Sequence, residues 1–191
     1  MKTMSLLKAA LSAVVILIVP IPLHGCDSAS QPADFGRPYG APFSVDKAGT
    51  KAEFEIRTTE HRGYQFDLHY VYDERNQSDR ERVRELVGSM ETGSNGKPIN
   101  PGVPIFLRLH IDMLDSPSKR TVINKEISDM RLTSWGQGSF SQLISTVILT
   151  PGRYKVTIES LVDVPALKGT QTNLSYGVDA KTGPISKNKP H

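Results

Sequence analysis

Cysteine is almost missing from this 191-residue sequence: Cys26 is the only one. A single thiol excludes an internal disulfide, so the fold must hold by packing alone. Long hydrophobic runs are missing too. Ala9–Val19 is apolar apart from Ser12 and then meets Pro20, well short of the roughly 20 residues a spanning helix needs. There is no Gly-x-Ser-x-Gly elbow, no phosphate-cradling glycine loop, no internal repeat and no low-complexity block. Aromatic residues make up only 7%. No basic stripe exists either: "DRERVRE" alternates in sign and "SKNKPH" is a short terminal tail. That argues against nucleic acid as a partner.

Acid is absent from the first 26 residues, where Lys2 and Lys8 precede the apolar run and "PIP" follows it. This is the layout of a secretory signal. Leu23, His24 and Gly25 then lead directly into Cys26. The segment resembles a bacterial lipobox, with an aliphatic residue three positions before the cysteine and a small one just before it; His24 stands where the family usually has a small residue. The resemblance implies diacylglycerol on the Cys26 sulfur, cleavage before Cys26 and acylation of the new amine. A thioether removes the hazard of an unpaired thiol in an oxidising compartment, and three acyl chains hold a membrane where one holds only marginally. Asp27 leans the expected address toward the inner membrane. A plain cleaved signal with a stray cysteine and an uncleaved anchor are the other readings of this stretch.

The chain carries 23 Lys and Arg against 20 Asp and Glu. Removing residues 1–25 takes away two lysines, leaving 21 against 20 and a mature charge of +1. The pI of about 9.0 therefore overstates any preference for anionic partners. The remaining length suits one core rather than two domains. Residues 26–42, rich in Pro, Gly, Ser and Ala, read as a tether, with Phe35 and Tyr39 able to dock on the domain. Residues 43–183 read as the folded domain and 184–191 as a polar tail.

Strand periodicity dominates the domain. "KAEFEIRTTE" alternates Ala52, Phe54 and Ile56 with Glu53, Glu55 and Arg57, a half-buried strand. "GYQFDLHYVYD" and "PIFLRLHIDML" repeat the pattern, and "RTVINKEIS" is expected to return antiparallel to the latter. "SQLISTVIL", "RYKVTIESLV" and "NLSYGVDAK" follow. One helix interrupts: Val83, Leu86 and Val87 make an apolar stripe, Ser78 and Glu81 suggest a capping box, and Gly88 stops it. The long Gly/Pro/Asn stretch 88–103 is of the kind that is functional or mobile. The expected class is all-β, an immunoglobulin-like antiparallel β-sandwich with one short helix in a connecting segment.

Leu149, Pro151, Gly152 and Tyr154 resemble the Leu-x-Pro-Gly-x-Tyr entry to the penultimate strand of fibronectin-type sandwiches, where the tyrosine hydroxyl bonds back to the backbone upstream. The resemblance implies strands E, F and G near 141–149, 152–162 and 171–180. Lipobox, tether, six or seven strands and this corner together resemble a proteobacterial lipoprotein family of unknown function.

Candidate chemistry is sparse. Asp67 and His69 on one strand could meet His110 and Asp112 on another as metal ligands if the strands were neighbours in register. A plain polar sheet face is the simpler reading, and no metal or other cofactor is expected. Trp135 between glycines is either an exposed partner-binding anchor or, the favoured reading, a plug in one end of the core. His61, His69, His110 and His191 are scattered, and Ser139 has no visible base. No catalytic residue is expected.

Membrane tethering, a β-sandwich, no catalytic set and a near-neutral surface suit a tethered binding module in the periplasm, joined to the membrane through its N-terminal lipid. By analogy with small envelope lipoproteins, the leading expectation is an immunity protein that occludes a periplasm-acting toxin of a type VI secretion system, using sandwich loops or the 88–103 segment beside the helix. Glycan or peptidoglycan recognition through Trp135, Tyr39 and Tyr176, a structural subunit of an envelope complex, and metal binding are the alternatives. The oligomeric state is not legible.

Overall fold

The computed structural model describes residues 41–115, 120–136 and 138–185. Residues 1–25, read above as a signal segment, and Cys26, Asp27, Phe35, Tyr39 and His191 lie outside them. Among the described residues eight strands form in chain order: β1 (Lys51–Thr58), β2 (Arg62–Val71), β3 (Leu107–Met113), β4 (Arg120–Ile127), β5 (Leu132–Gly136), β6 (Ser139–Leu149), β7 (Gly152–Ser160) and β8 (Thr172–Val178). Helix α1 (Gln77–Val87) lies between β2 and β3, and a single 3-10 turn (Pro165–Leu167) precedes β8. The strands make two four-stranded antiparallel sheets, ordered β1-β7-β3-β4 and β5-β6-β2-β8. This is the immunoglobulin-like sandwich with a connecting helix.

Period-two alternation sends one set of side chains from each sheet inward. Phe66, Leu68 and Tyr70 of β2 meet Leu107, Leu109 and Ile111 of β3 and Val156 and Ile158 of β7 in the interior, all fully buried. Tyr154 turns the chain from one sheet to the other. Its hydroxyl donates to the Thr150 carbonyl at 2.8 Å, so the tyrosine corner is formed as its motif implies. The corner marks one end of the sandwich, and α1 closes the other.

Spans E, F and G appear as β6, β7 and β8, but the last does not lie where a strand G belongs. In an immunoglobulin-like sandwich the final strand flanks F and the first flanks B. Here β8 flanks β2, the counterpart of B, while β1 flanks β7, the counterpart of F. The two terminal strands have changed places. Ala41 and Pro42, assigned to the tether by composition, also belong to the sandwich. Leu174 N–H donates to the Ala41 carbonyl at 2.8 Å, Phe43 N–H to the Thr172 carbonyl at 3.0 Å, and Pro42 bridges Asn173. The chain thus enters antiparallel to β8, travelling away from the tyrosine corner.

Candidate functional site

Away from the Arg57/Arg153 pair, the charged outer face of the β1-β7-β3-β4 sheet is largely paired within itself. Lys51, Glu159, Arg108 and Glu126 lie in one cross-strand row, with contacts of 3.5, 3.4 and 2.8 Å from one to the next. Lys155, in register with Glu55, reaches diagonally to Glu53 of β1 at 2.7 Å. His110 Nε2 and the Thr121 hydroxyl both reach Asp112 Oδ1, at 2.9 and 2.8 Å. Alternating sign across neighbours is what a polar sheet face needs to avoid like-charge repulsion.

Asp67 and His69 stand on the outer face of the other sheet. The core therefore separates them from His110 and Asp112, and the four cannot converge. β2 and β3 look adjacent in sequence, but the chain crosses between sheets through α1. Among the described residues no cluster of metal-ligating side chains occurs. His69 is also not solvated, at 9% exposure. Its Nδ1 and Nε2 contact the hydroxyls of Ser141 on β6 and Ser175 on β8, at 2.7 and 2.6 Å. Burial lowers the pKa of His69 and raises that of Asp67, whose carboxylate accepts from Gln65 at 2.9 Å. In the neutral ring one nitrogen donates and the other accepts. His69 thus ties its strand to both neighbours.

The helix end carries the most distinctive construction. α1 starts at Asn76 rather than at the expected Ser78 box. Asn76 Oδ1 accepts the Asp79 N–H at 3.1 Å, and Asp79 Oδ2 reaches back to the Asp73 N–H at 2.9 Å. Asn caps as well as Ser, and Glu81 is occupied by Gln77 Nε2 at 2.8 Å. Val83 and Val87 bury the apolar stripe, while Arg80 and Arg84 lie over the Tyr72 and Phe140 rings. At the C-terminus, where helix carbonyls lack partners, Val103 N–H takes the Leu86 carbonyl and Gln142 Nε2 takes that of Val87. Gln142 Oε1 in turn accepts from buried Tyr70 at 2.6 Å.

Residues 88–103, legible in sequence only as a long loop, form an ordered finger. Ser89 N–H donates to Asn100, Ile99 to Glu91 and Gly93 to Lys97, at 2.8, 2.9 and 2.8 Å. Gly88 and Gly102 lock its base with φ of 90° and 70°. A Cβ on either would lie 2.6 Å from backbone oxygen, of Asn100 or Leu86. The two backbones therefore touch where no side chain fits. Met90 and Ile99 project from the finger at 46% and 66% exposure. Between its base and the 128–131 connection lies a groove of about 700 Å³ lined by Pro98, Pro101, Val103, Ile105 and Met130, among others. Trp135 is 57% exposed. It does not plug the core, because β5 is a short edge strand at the rim of the sandwich.

Among solved structures, the chain is similar to a protein from Sulfurospirillum deleyianum known by its crystal structure. The TM-score is 0.61 at 18% identity, over 73% of this chain and 95% of that one. The likeness shows the shared fold. No curated protein matches the chain. The family model described as "Domain of unknown function (DUF5625)" matches residues 40–178, all eight strands included, and the chain belongs to that family.

Proposed function

We propose that this chain is a lipid-anchored binding protein of the cell envelope that grips a protein partner with its helix end. The observation carrying this reading is the finger. A segment of glycine, proline and asparagine is here held at a base of two interlocked glycines, yet two large apolar side chains, Met90 and Ile99, are left in solvent close above that base. A pre-ordered projection loses little conformational entropy on binding, and exposed apolar residues beside a groove suit an inhibitor that plugs a partner's cleft. The lipobox reading of Cys26 supplies the tether and Asp27 the inner-membrane lean. No enzymatic role is proposed.

Within that reading the best partner class is a periplasm-acting toxin delivered by a type VI secretion system, with this chain as its immunity protein. Deleting the gene should let the parent strain outcompete the mutant in mixed culture. Restoring the wild-type gene should protect, Cys26→Ala should protect less, and Met90→Asp with Ile99→Asp should not protect although the protein accumulates. Parity between the null strain and its parent overturns the immunity assignment. Full protection by the Met90/Ile99 variant overturns the finger as the gripping surface.

A further inference from the structure

At the tyrosine-corner end, Arg57 and Arg153 face each other in register on the outer face of β1 and β7. Like charges directly opposite on neighbouring strands repel, so the arrangement calls for an anion. Asp115 answers half of that need, accepting from the Arg153 backbone and guanidinium at 2.7 and 2.8 Å, and both arginines hold its carboxyl below the usual range. The Arg57 guanidinium has no ion-pair partner among the described residues, and neither have Arg120 and Lys181; all three are exposed. Arg57, Arg153, Thr58 and Asp115 are among the residues lining an open hollow of about 500 Å³, in which the Asp115 carboxylate is already the anion.

Apolar side chains share this end. Ile148, Val178 and Ile185 are 56%, 48% and 38% exposed, and Ile185 is fixed there by its N–H donating to the His61 carbonyl at 2.7 Å. Exposed cations and exposed aliphatic residues at the same end of the two sheets suit a membrane interface met end-on, where anionic headgroups attract each Lys or Arg and apolar tips enter the headgroup layer. The direction of the chain agrees, since Ala41 to Phe43 run antiparallel to β8, from the side of this end.

We propose that the tyrosine-corner end rests on the anionic lipid surface of the anchoring membrane, with the finger held away from the bilayer. This rests on the tethered reading for its membrane, but it can be tested apart from it. The acylated chain has its sole cysteine occupied, so Val178→Cys and Ile99→Cys each accept one fluorophore. The chain, reconstituted on neutral phosphatidylcholine vesicles or on vesicles with about a third phosphatidylglycerol, is floated and then probed with aqueous acrylamide. On anionic vesicles the label at 178 should be quenched several-fold less than that at 99. Arg57→Glu with Lys181→Glu, or high salt, should remove the difference while flotation persists. Equal quenching at 178 and 99 on anionic vesicles overturns the proposal, as does protection that survives both the charge reversal and salt. Flotation with anionic vesicles alone, reversed by salt, supports this surface and sinks the lipid anchor. Flotation with neither sinks both.

Discussion

Single polar atoms decide much in a core that has no disulfide to help it. Tyr154→Phe removes the hydroxyl that closes the corner and should lower stability by about 1 kcal/mol, read as a shift in urea midpoint at constant slope. Tyr70→Phe should cost more, about 1–3 kcal/mol, because it strands the buried Gln142 oxygen. His69 adds a pH signature. Its pKa is lowered in the fold by burial, so the unfolded chain takes up the proton first. The contribution is full above about pH 6.5 and is lost as pH falls from there through the lowered native value. Asp67 works in the opposite sense. Its raised pKa makes the charged form a liability at neutral pH that is relieved on acidification. His69→Gln should flatten the fall in thermal midpoint between pH 7 and 5, and Asp67→Asn should raise the midpoint at pH 7. An unchanged pH profile in the His69 variant would remove this residue from the account.

Among the elements, the finger depends on positions where only glycine fits. Gly88→Ala and Gly102→Ala both meet backbone atoms at 2.6 Å in the left-handed region. Each should destabilise by at least about 2 kcal/mol and release the Ile99 and Gly93 amides to hydrogen exchange. Gly96→Ala makes an internal control. Its φ is 71° but nothing lies within 4 Å of the added methyl, so strain alone, about 1 kcal/mol, should result and the finger should persist. Composition could not reveal this element. Gly, Pro and Asn mark turns, and only two backbones in contact turn such a stretch into a rigid projection. β5 escaped for a related reason, with Leu132 its sole buried residue. Strands with full alternation, such as β1, β3 and β7, were legible because the pleat alone sets which side chains go inward.

At the level of the whole molecule, sequence period tells which residues face the core but not which sheet a strand joins. The separation of Asp67 and His69 from His110 and Asp112 follows from that gap, as does the exchange of terminal strands; both depend on pairings between residues far apart in the chain. Trp135 illustrates the same limit, since its neighbours in sequence do not tell how far β5 reaches past the core. Truncation tests the exchange. Ending the chain before Thr172 should remove Leu174 from the interior and Tyr176 from its stack on Tyr64 and Phe66. It should also bare the edge of β2, a central strand. The expected product lacks near-ultraviolet dichroism and aggregates. A soluble, cooperative seven-stranded product would show that β8 is dispensable.

Lys51 waits for Glu159, and Tyr64 waits for Val178. No leading portion of the polypeptide can complete either layer, because one takes an inner strand, β7, and the other an edge strand, β8, from the far end of synthesis. Such distant closure is slow, and for the envelope role proposed above a slow start would have a use: a thread that cannot collapse early would stay loose enough to pass through a narrow translocation pore before it locks.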